Sequence, residues 1–135
     1  MATLFTRIIN GEIPCYKVAE NENYFAFLDI APMAKGHTLV IPKKEDDYIF
    51  HLDNETYSGL MLFAKDVALA LEKAVPCKRI GVAVMGMEVP HVHVHLVPLQ
   101  REGDLSIEKP KLHLPEEEMV EIAKKIAEEW RKMQA

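Results

Sequence analysis

Residues 91–97, His91-Val92-His93-Val94-His95-Leu96-Val97, alternate strictly between imidazole and aliphatic side chains until the closing pair. A repeat of two is the period of a β-strand, where successive Cβ atoms point to opposite faces, so the run predicts a strand over 91–99. Its histidines then share one face, their Cβ atoms roughly 7 Å apart, with three rings lined along one groove and the valines beneath. Such a strand requires neighbours to pair with and a layer to cover its aliphatic face.

The rest of the chain supplies both. Ile8-Ile9-Asn10-Gly11 reads as a short helix stopped by an Asn-Gly cap, after which Pro14 extends the chain. Residues 16–19 and 24–28 read as strands around the polar turn Glu20-Asn21-Glu22-Asn23, and residues 36–42 as a third strand. Asp53 or Asn54 can cap a helix running to about Ala74, whose buried face repeats at Leu60, Phe63, Ala64, Val67, Leu71 and Val75. Residues 80–85 form an unbroken apolar run, which is expected at the centre of the sheet. Residues 101–113 read as loop. Pro115 opens a last helix, with Glu116, Glu117 and Glu118 in its first turn and Arg131 and Lys132 in its last, as the helix dipole favours. Its apolar stripe of Met119, Ile122, Ala123, Ile126, Trp130 and Met133 is read as core or subunit packing. Short turns between successive strands predict an antiparallel sheet with helices on it, an α+β layout.

Composition narrows the partners. At 135 residues the chain suits a single domain. Its net charge of −5, from 16 basic against 21 acidic residues, leaves no broad basic face, so nucleic acid is not an expected partner. A small anion held in a local pocket is compatible with that balance. Cys15 and Cys77 match no metal or redox spacing and read as small, reduced apolar residues. No apolar run reaches the length of a membrane span, and the N-terminal segment lacks the apolar core of an export signal. A cytoplasmic location with no membrane partner is the expectation.

Imidazoles in this arrangement suit two chemistries. They can ligate a metal as neutral rings, with a further ligand from His37, His51 or a carboxylate. Alternatively one ring attacks phosphorus, because imidazole titrates near neutrality and presents two distinct nitrogens. A hydrogen bond to one nitrogen fixes the tautomer and frees the other. A second histidine then manages charge or the leaving-group proton.

The run at 91–97 resembles the hallmark of the histidine triad (HIT) superfamily of nucleotide-binding proteins, in which three histidines alternate with apolar residues. Three upstream blocks are similar as well, in the same order. They are residues 4–14 (Leu4 to Pro14), residues 25–32 (Phe25 to Pro32) and residues 36–44 (Gly36 to Lys44). The resemblance covers about residues 4–100. It implies a five-stranded antiparallel sheet with helices packed on it, pairing with a second copy into a continuous sheet. Residues 1–100 would form the HIT domain, and 101–135 an extension, with an amphipathic helix, of the same single domain.

The resemblance also implies roles. His93 corresponds to the nucleophile that carries a nucleotidyl group, and His95 to the histidine beside the phosphate. His91 and His37 correspond to its hydrogen-bonded supports. Asp29 corresponds to the carboxylate on the ribose hydroxyls, a fitting partner because its two oxygens can grip a cis-diol. Phe5, Ile8, Phe27, Leu28 and Ile30 correspond to the walls around the base. The implied activity is cleavage of a nucleotidyl P–N or P–O bond in a purine nucleotide or nucleotidyl conjugate, without cofactor or metal. The alternatives are a dinucleoside polyphosphate hydrolase, a nucleotide-binding module with little turnover, and a metal-dependent hydrolase using the three histidines as ligands.

The chain departs from the family pattern in places. Residues 84–90, Val84-Met85-Gly86-Met87-Glu88-Val89-Pro90, lack the amide and hydroxyl donors that phosphoramidate-cleaving members often carry there. Glu88 stands where a neutral hydroxyl is expected, and a carboxylate there either turns away or selects a basic leaving group. Thr3 and Thr6 occupy the places of a Cys-x-x-Cys that helps bind structural zinc in some members, and Glu45 ends a block that elsewhere ends in histidine. No structural zinc is therefore expected. His51 is assigned no role, and His113 is placed in a surface loop.

Overall fold

Asn21 makes the first turn: its side-chain carbonyl accepts from the backbone N–H of Asn23 and of Tyr24, at 3.0 and 2.9 Å. This lays β1 (Lys17–Glu20) against β2 (Tyr24–Leu28), which pairs in turn with β3 (Thr38–Pro42). The computed structural model describes residues 2–134. β4 (Arg79–Val84) and β5 (Val94–Leu99) complete a five-stranded antiparallel sheet in the order β1-β2-β3-β5-β4. Three α-helices accompany it: α1 (Leu4–Ile9), α2 (Asn54–Ala74) and α3 (Glu116–Gln134). Residues 101–113 are loop apart from one short 3-10 turn, Glu102–Asp104, and His113 is exposed there.

Two expectations about the strands are corrected. The apolar run at 80–85 is the edge strand, not the centre, and Val82 is 53% exposed. An unbroken apolar run signals burial on both faces, but α2 and the sheet cover only part of this strand, and one flank has no strand partner among the described residues. The histidine run is also less of a strand than its alternation implies. β5 begins at Val94, where pairing with Val40 on one side and Val84 on the other ends. His91 and His93 precede it, and the chain there bonds elsewhere: Val92 N–H donates to the Asp46 carbonyl at 2.7 Å.

Alternation still sorts the two faces. On one, Val94 and Leu96 join Ala26, Val40 and the buried stripes of α2 and α3 in the main core. The stripe at Met119, Ile122, Ala123 and Ile126 is buried there, and Trp130 meets Phe63 edge-on at 6.0 Å. α3 thus covers the sheet face opposite the histidines. On the other face, Phe25, Phe27, Leu39 and Ile41 form a smaller cluster with Phe5 and Ile8 of α1. Register places Phe27 beside Leu39 and Leu39 beside His95, one continuous row across β2, β3 and β5. That row joins the apolar wall to the histidines.

Candidate functional site

His95 is held in the middle of the sheet, and His93 lies where the chain lifts off it. All three histidines of the run are buried, His91 at 0%, His93 at 7% and His95 at 8% exposure. Buried imidazoles need partners, and His91 and His93 each find a carbonyl, which can only accept, while His95 is fixed through His37. His93 Nδ1 lies 2.8 Å from the His91 carbonyl, which can only accept. The proton is therefore on Nδ1, and Nε2 keeps a free lone pair.

The second chain of bonds starts at an obligate donor. Met33 N–H donates to His37 Nδ1 at 3.0 Å, so the His37 proton is on Nε2 and is donated to His95 Nδ1 at 2.9 Å. His95 consequently carries its proton on Nε2. Burial, reinforced by the nearby positive charge of Lys111, pushes His37 down to about 4. Burial, with His37 and His93 beside it, does the same to His95. Both rings are neutral at pH 7, which keeps these tautomers in place.

His91 faces another way. Its Nε2 donates to the Pro42 carbonyl at 2.8 Å, and its Nδ1 accepts from the Thr3 hydroxyl at 2.7 Å. Burial lowers its pKa, as this neutral arrangement requires. Thr6 donates to Glu45 Oε2 at 2.6 Å, and the same oxygen accepts from Thr3 N–H at 2.7 Å. Thr3 also caps α1 by accepting from Thr6 N–H. These residues fasten α1 to the histidine run.

Two cavities meet at His93 and His95. The first, of about 290 Å³, is walled by α1 and the β2–β3 row, and Phe5, Ile8, Phe27, Leu28, Asp29 and Ile30 all line it. The second, of about 220 Å³, has Met33, His37 and Lys111 among its walls. Asp29, Glu88, His93 and His95 line both, and so form the seam. His91 lines neither cavity, so the expected groove of three rings contains two. His91 instead stands behind, in reach of Phe5, whose ring meets His91 and His93 edge-on at 5.7 and 5.1 Å. Glu88 is exposed at the seam rather than turned away. Sequence reasoning missed Leu4, Ile13, Cys15 and Val89 in the first cavity and Lys111, Met33 and Ile107 in the second. Most come from segments without periodicity, where no pattern marks which side chain turns inward.

Of the histidine run, only His95 belongs to a group that could hold a metal. Among the described residues, the groups whose ligand atoms lie within 4.8 Å of one another are Asp29–His37–His95 and the surface set Asp46–Asp47–His51. His91, His93 and His95 do not converge, because His91 spends both nitrogens on Thr3 and Pro42. The set Thr3, Thr6, Glu45 and His91 does not fit zinc either. It offers two hydroxyls in place of thiolates, and they are already hydrogen-bonded to His91 and Glu45.

A family model described as the HIT domain matches residues 10–102. The adenosine 5′-monophosphoramidase hnt1 of Schizosaccharomyces pombe is 34% identical over 130 residues, covering 94% of this chain and 97% of its own. Among solved structures, a hypothetical histidine triad nucleotide-binding protein of Sulfolobus tokodaii superposes with a TM-score of 0.82. It is 31% identical, over 96% of this chain and 93% of that one. A zinc-bound histidine triad family protein of Mycobacterium smegmatis gives 0.83 at 26% identity, over 99% and 96% of the two chains.

Proposed function

This chain belongs to the histidine triad family, and from that membership and its site we propose that it is a nucleotide-binding hydrolase or transferase that breaks a nucleotidyl P–N or P–O bond through His93. The observation that carries the proposal is the His93 tautomer. The His91 carbonyl holds Nδ1–H, so the lone pair on Nε2 is available, in a ring that lines both cavities.

In this reading the nucleoside enters the first cavity. Its base lies among Phe5, Ile8, Phe27, Leu28 and Ile30, apolar walls that suit a purine without demanding one. Its ribose hydroxyls are held by Asp29. The α-phosphorus then sits at the seam. His93 Nε2 attacks it, the bond to the leaving group breaks, and the leaving atom, hydrogen-bonded by His95 Nε2–H, takes its proton from water. His37 holds His95 in the tautomer that donates that hydrogen bond, and the His91 carbonyl stabilises the positive charge that develops on His93. The hydroxide so formed attacks phosphorus, and the P–N bond to His93 breaks. The steps use only this chain's side chains, substrate and water.

The size of the second cavity supports one choice of leaving group. At about 220 Å³ it is smaller than the about 300 Å³ where pockets for drug-sized ligands begin, so a compact leaving group fits better than a second nucleoside. This favours a phosphoramidate over a dinucleoside polyphosphate. The partnerless flank of β4 and exposed Val82 also support a homodimer in which two sheets join, to be read by sedimentation.

The test is turnover of adenosine 5′-phosphoramidate with chelator present, by wild type and by His93→Ala. Wild-type turnover that falls at least about a thousandfold in the variant is the expected result. Absence of wild-type turnover turns the reading to polyphosphate substrates, and failure of those as well, with AMP still bound, leaves a binding module instead.

A further inference from the structure

The second cavity has a charge pattern that nucleotide binding does not explain. Its carboxylates, Asp29 and Glu88, are both at the seam it shares with the first cavity. Its one fixed cation, Lys111, lines this cavity alone. His37 and His95 add nothing to that charge, being neutral at pH 7.

Lys111 is held there by its own segment. Leu112 N–H donates to the Pro32 carbonyl at 2.9 Å, which draws the chain against the loop carrying Met33 and His37. On the other side, Asp104 accepts from Gln100 and Arg101 N–H and pairs with Lys109 at 3.5 Å. The Lys111 ammonium between these anchors has only the Ile107 carbonyl, at 3.4 Å, and no carboxylate within ion-pair distance among the described residues. An ammonium so placed, exposed at the end of a half-buried residue, is available to an incoming anion.

We infer that this cavity is a subsite for an amine leaving group that carries a carboxylate a few atoms from its nitrogen, a compact amino acid, and that Lys111 is its specificity-determining residue. The inference rests on the nucleotidyl-transfer reading above. The departing nitrogen lies at the seam, beside Glu88 and Asp29, which favour the ammonium it becomes. Its carboxylate lies deeper, against Lys111. In the transfer step, His93 Nε2 bonds to phosphorus, the P–N bond breaks, and the nitrogen, hydrogen-bonded by His95 Nε2–H, takes one proton from water to leave as the amine and a second from solvent to become the ammonium. The free amino acid leaves, and water completes the cycle. Glu88 alone favours any amine; Lys111 adds the demand for an anion.

Two conjugates that differ by one charge test this: AMP joined through its phosphorus to the nitrogen of glycine, and the same compound of glycinamide. The readout is the ratio of kcat/KM for the glycine conjugate to that for the glycinamide conjugate. Wild type should favour glycine. Lys111→Met should lower the ratio at least tenfold, and Lys111→Arg should restore most of it. The same ratio is measured as Kd in a His93→Ala background, where chemistry is blocked. A binding ratio that responds to Lys111 while no conjugate is cleaved by wild type keeps the subsite and overturns nucleotidyl transfer. Conjugates cleaved with a ratio that ignores Lys111, or with glycinamide preferred by wild type, overturn the subsite and leave the transfer reading intact.

Discussion

His37 Nε2 donates to His95 Nδ1 across 2.9 Å, and the direction of that bond is set by the Met33 N–H behind His37. One backbone amide thereby dictates which nitrogen of His95 offers a proton at the seam. Replacing His37 by Ala frees His95 to adopt either tautomer. We expect kcat on a phosphoramidate to fall about 10- to 100-fold with little change in KM, because the proton donor and not the nucleotide pocket is disturbed. Steady-state kinetics with both parameters resolved checks this.

The same buried pair makes stability depend on pH. His37 and His95 titrate near 6.5 when unfolded and are pushed down to about 4 in the fold. The unfolded chain therefore binds more protons between those values, so stability is full above about 6.5 and is lost as pH falls toward 4. For His37 alone the loss is on the order of 3 kcal/mol. Thermal melts between pH 7.5 and 4 should show Tm falling through this window, and His37→Ala should flatten the slope.

Thr3 is the hydroxyl partner of a fully buried ring nitrogen. Thr3→Val keeps the shape and removes the donor to His91 Nδ1, leaving a buried acceptor unsatisfied at a cost of about 1–3 kcal/mol. Thr3→Ser should recover most of it. Urea denaturation of the three proteins is the measurement.

Asp29 is assigned to the ribose. A 2′-deoxy nucleotide should bind about 10- to 100-fold more weakly than its ribose counterpart, the worth of a hydrogen bond to a charged group. Asp29→Ala should bind both equally weakly. Titration calorimetry with AMP and dAMP on both proteins gives the comparison.

Zinc content is a direct check on the threonine cluster. Protein prepared without chelator should carry far less than one zinc per chain by elemental analysis, since Thr3 and Thr6 present hydroxyls where thiolates would be needed. Added chelator should leave turnover unchanged.

Much of this was legible in the residues. Strand β2 and helix α2 fell where the polar turn before Tyr24 and the helical repeat placed them, since one is bounded by clear turn residues and the other carries a long, consistent pattern. The first-cavity walls were named through the resemblance, and those residues do line one cavity. What was not legible depended on partners far along the chain. Nothing in Ile80–Val84 says that one of its flanks lacks a neighbour. Nothing in the histidine alternation says that β3 and β4 stop pairing at Val94. Lys111 lies in a segment without periodicity, and its place in the second cavity follows from the Leu112–Pro32 bond, which no local pattern announces.

Because Thr3 ties α1 to His91, and the His91 carbonyl orients His93, the proposed base wall and the proposed nucleophile are joined by one short chain of contacts. In that reading a base seated against Phe5 helps to align His93. A substrate stripped of its base should therefore react slowly even when saturating, having lost its hold on the alignment of the reacting atoms as well as its grip on the protein.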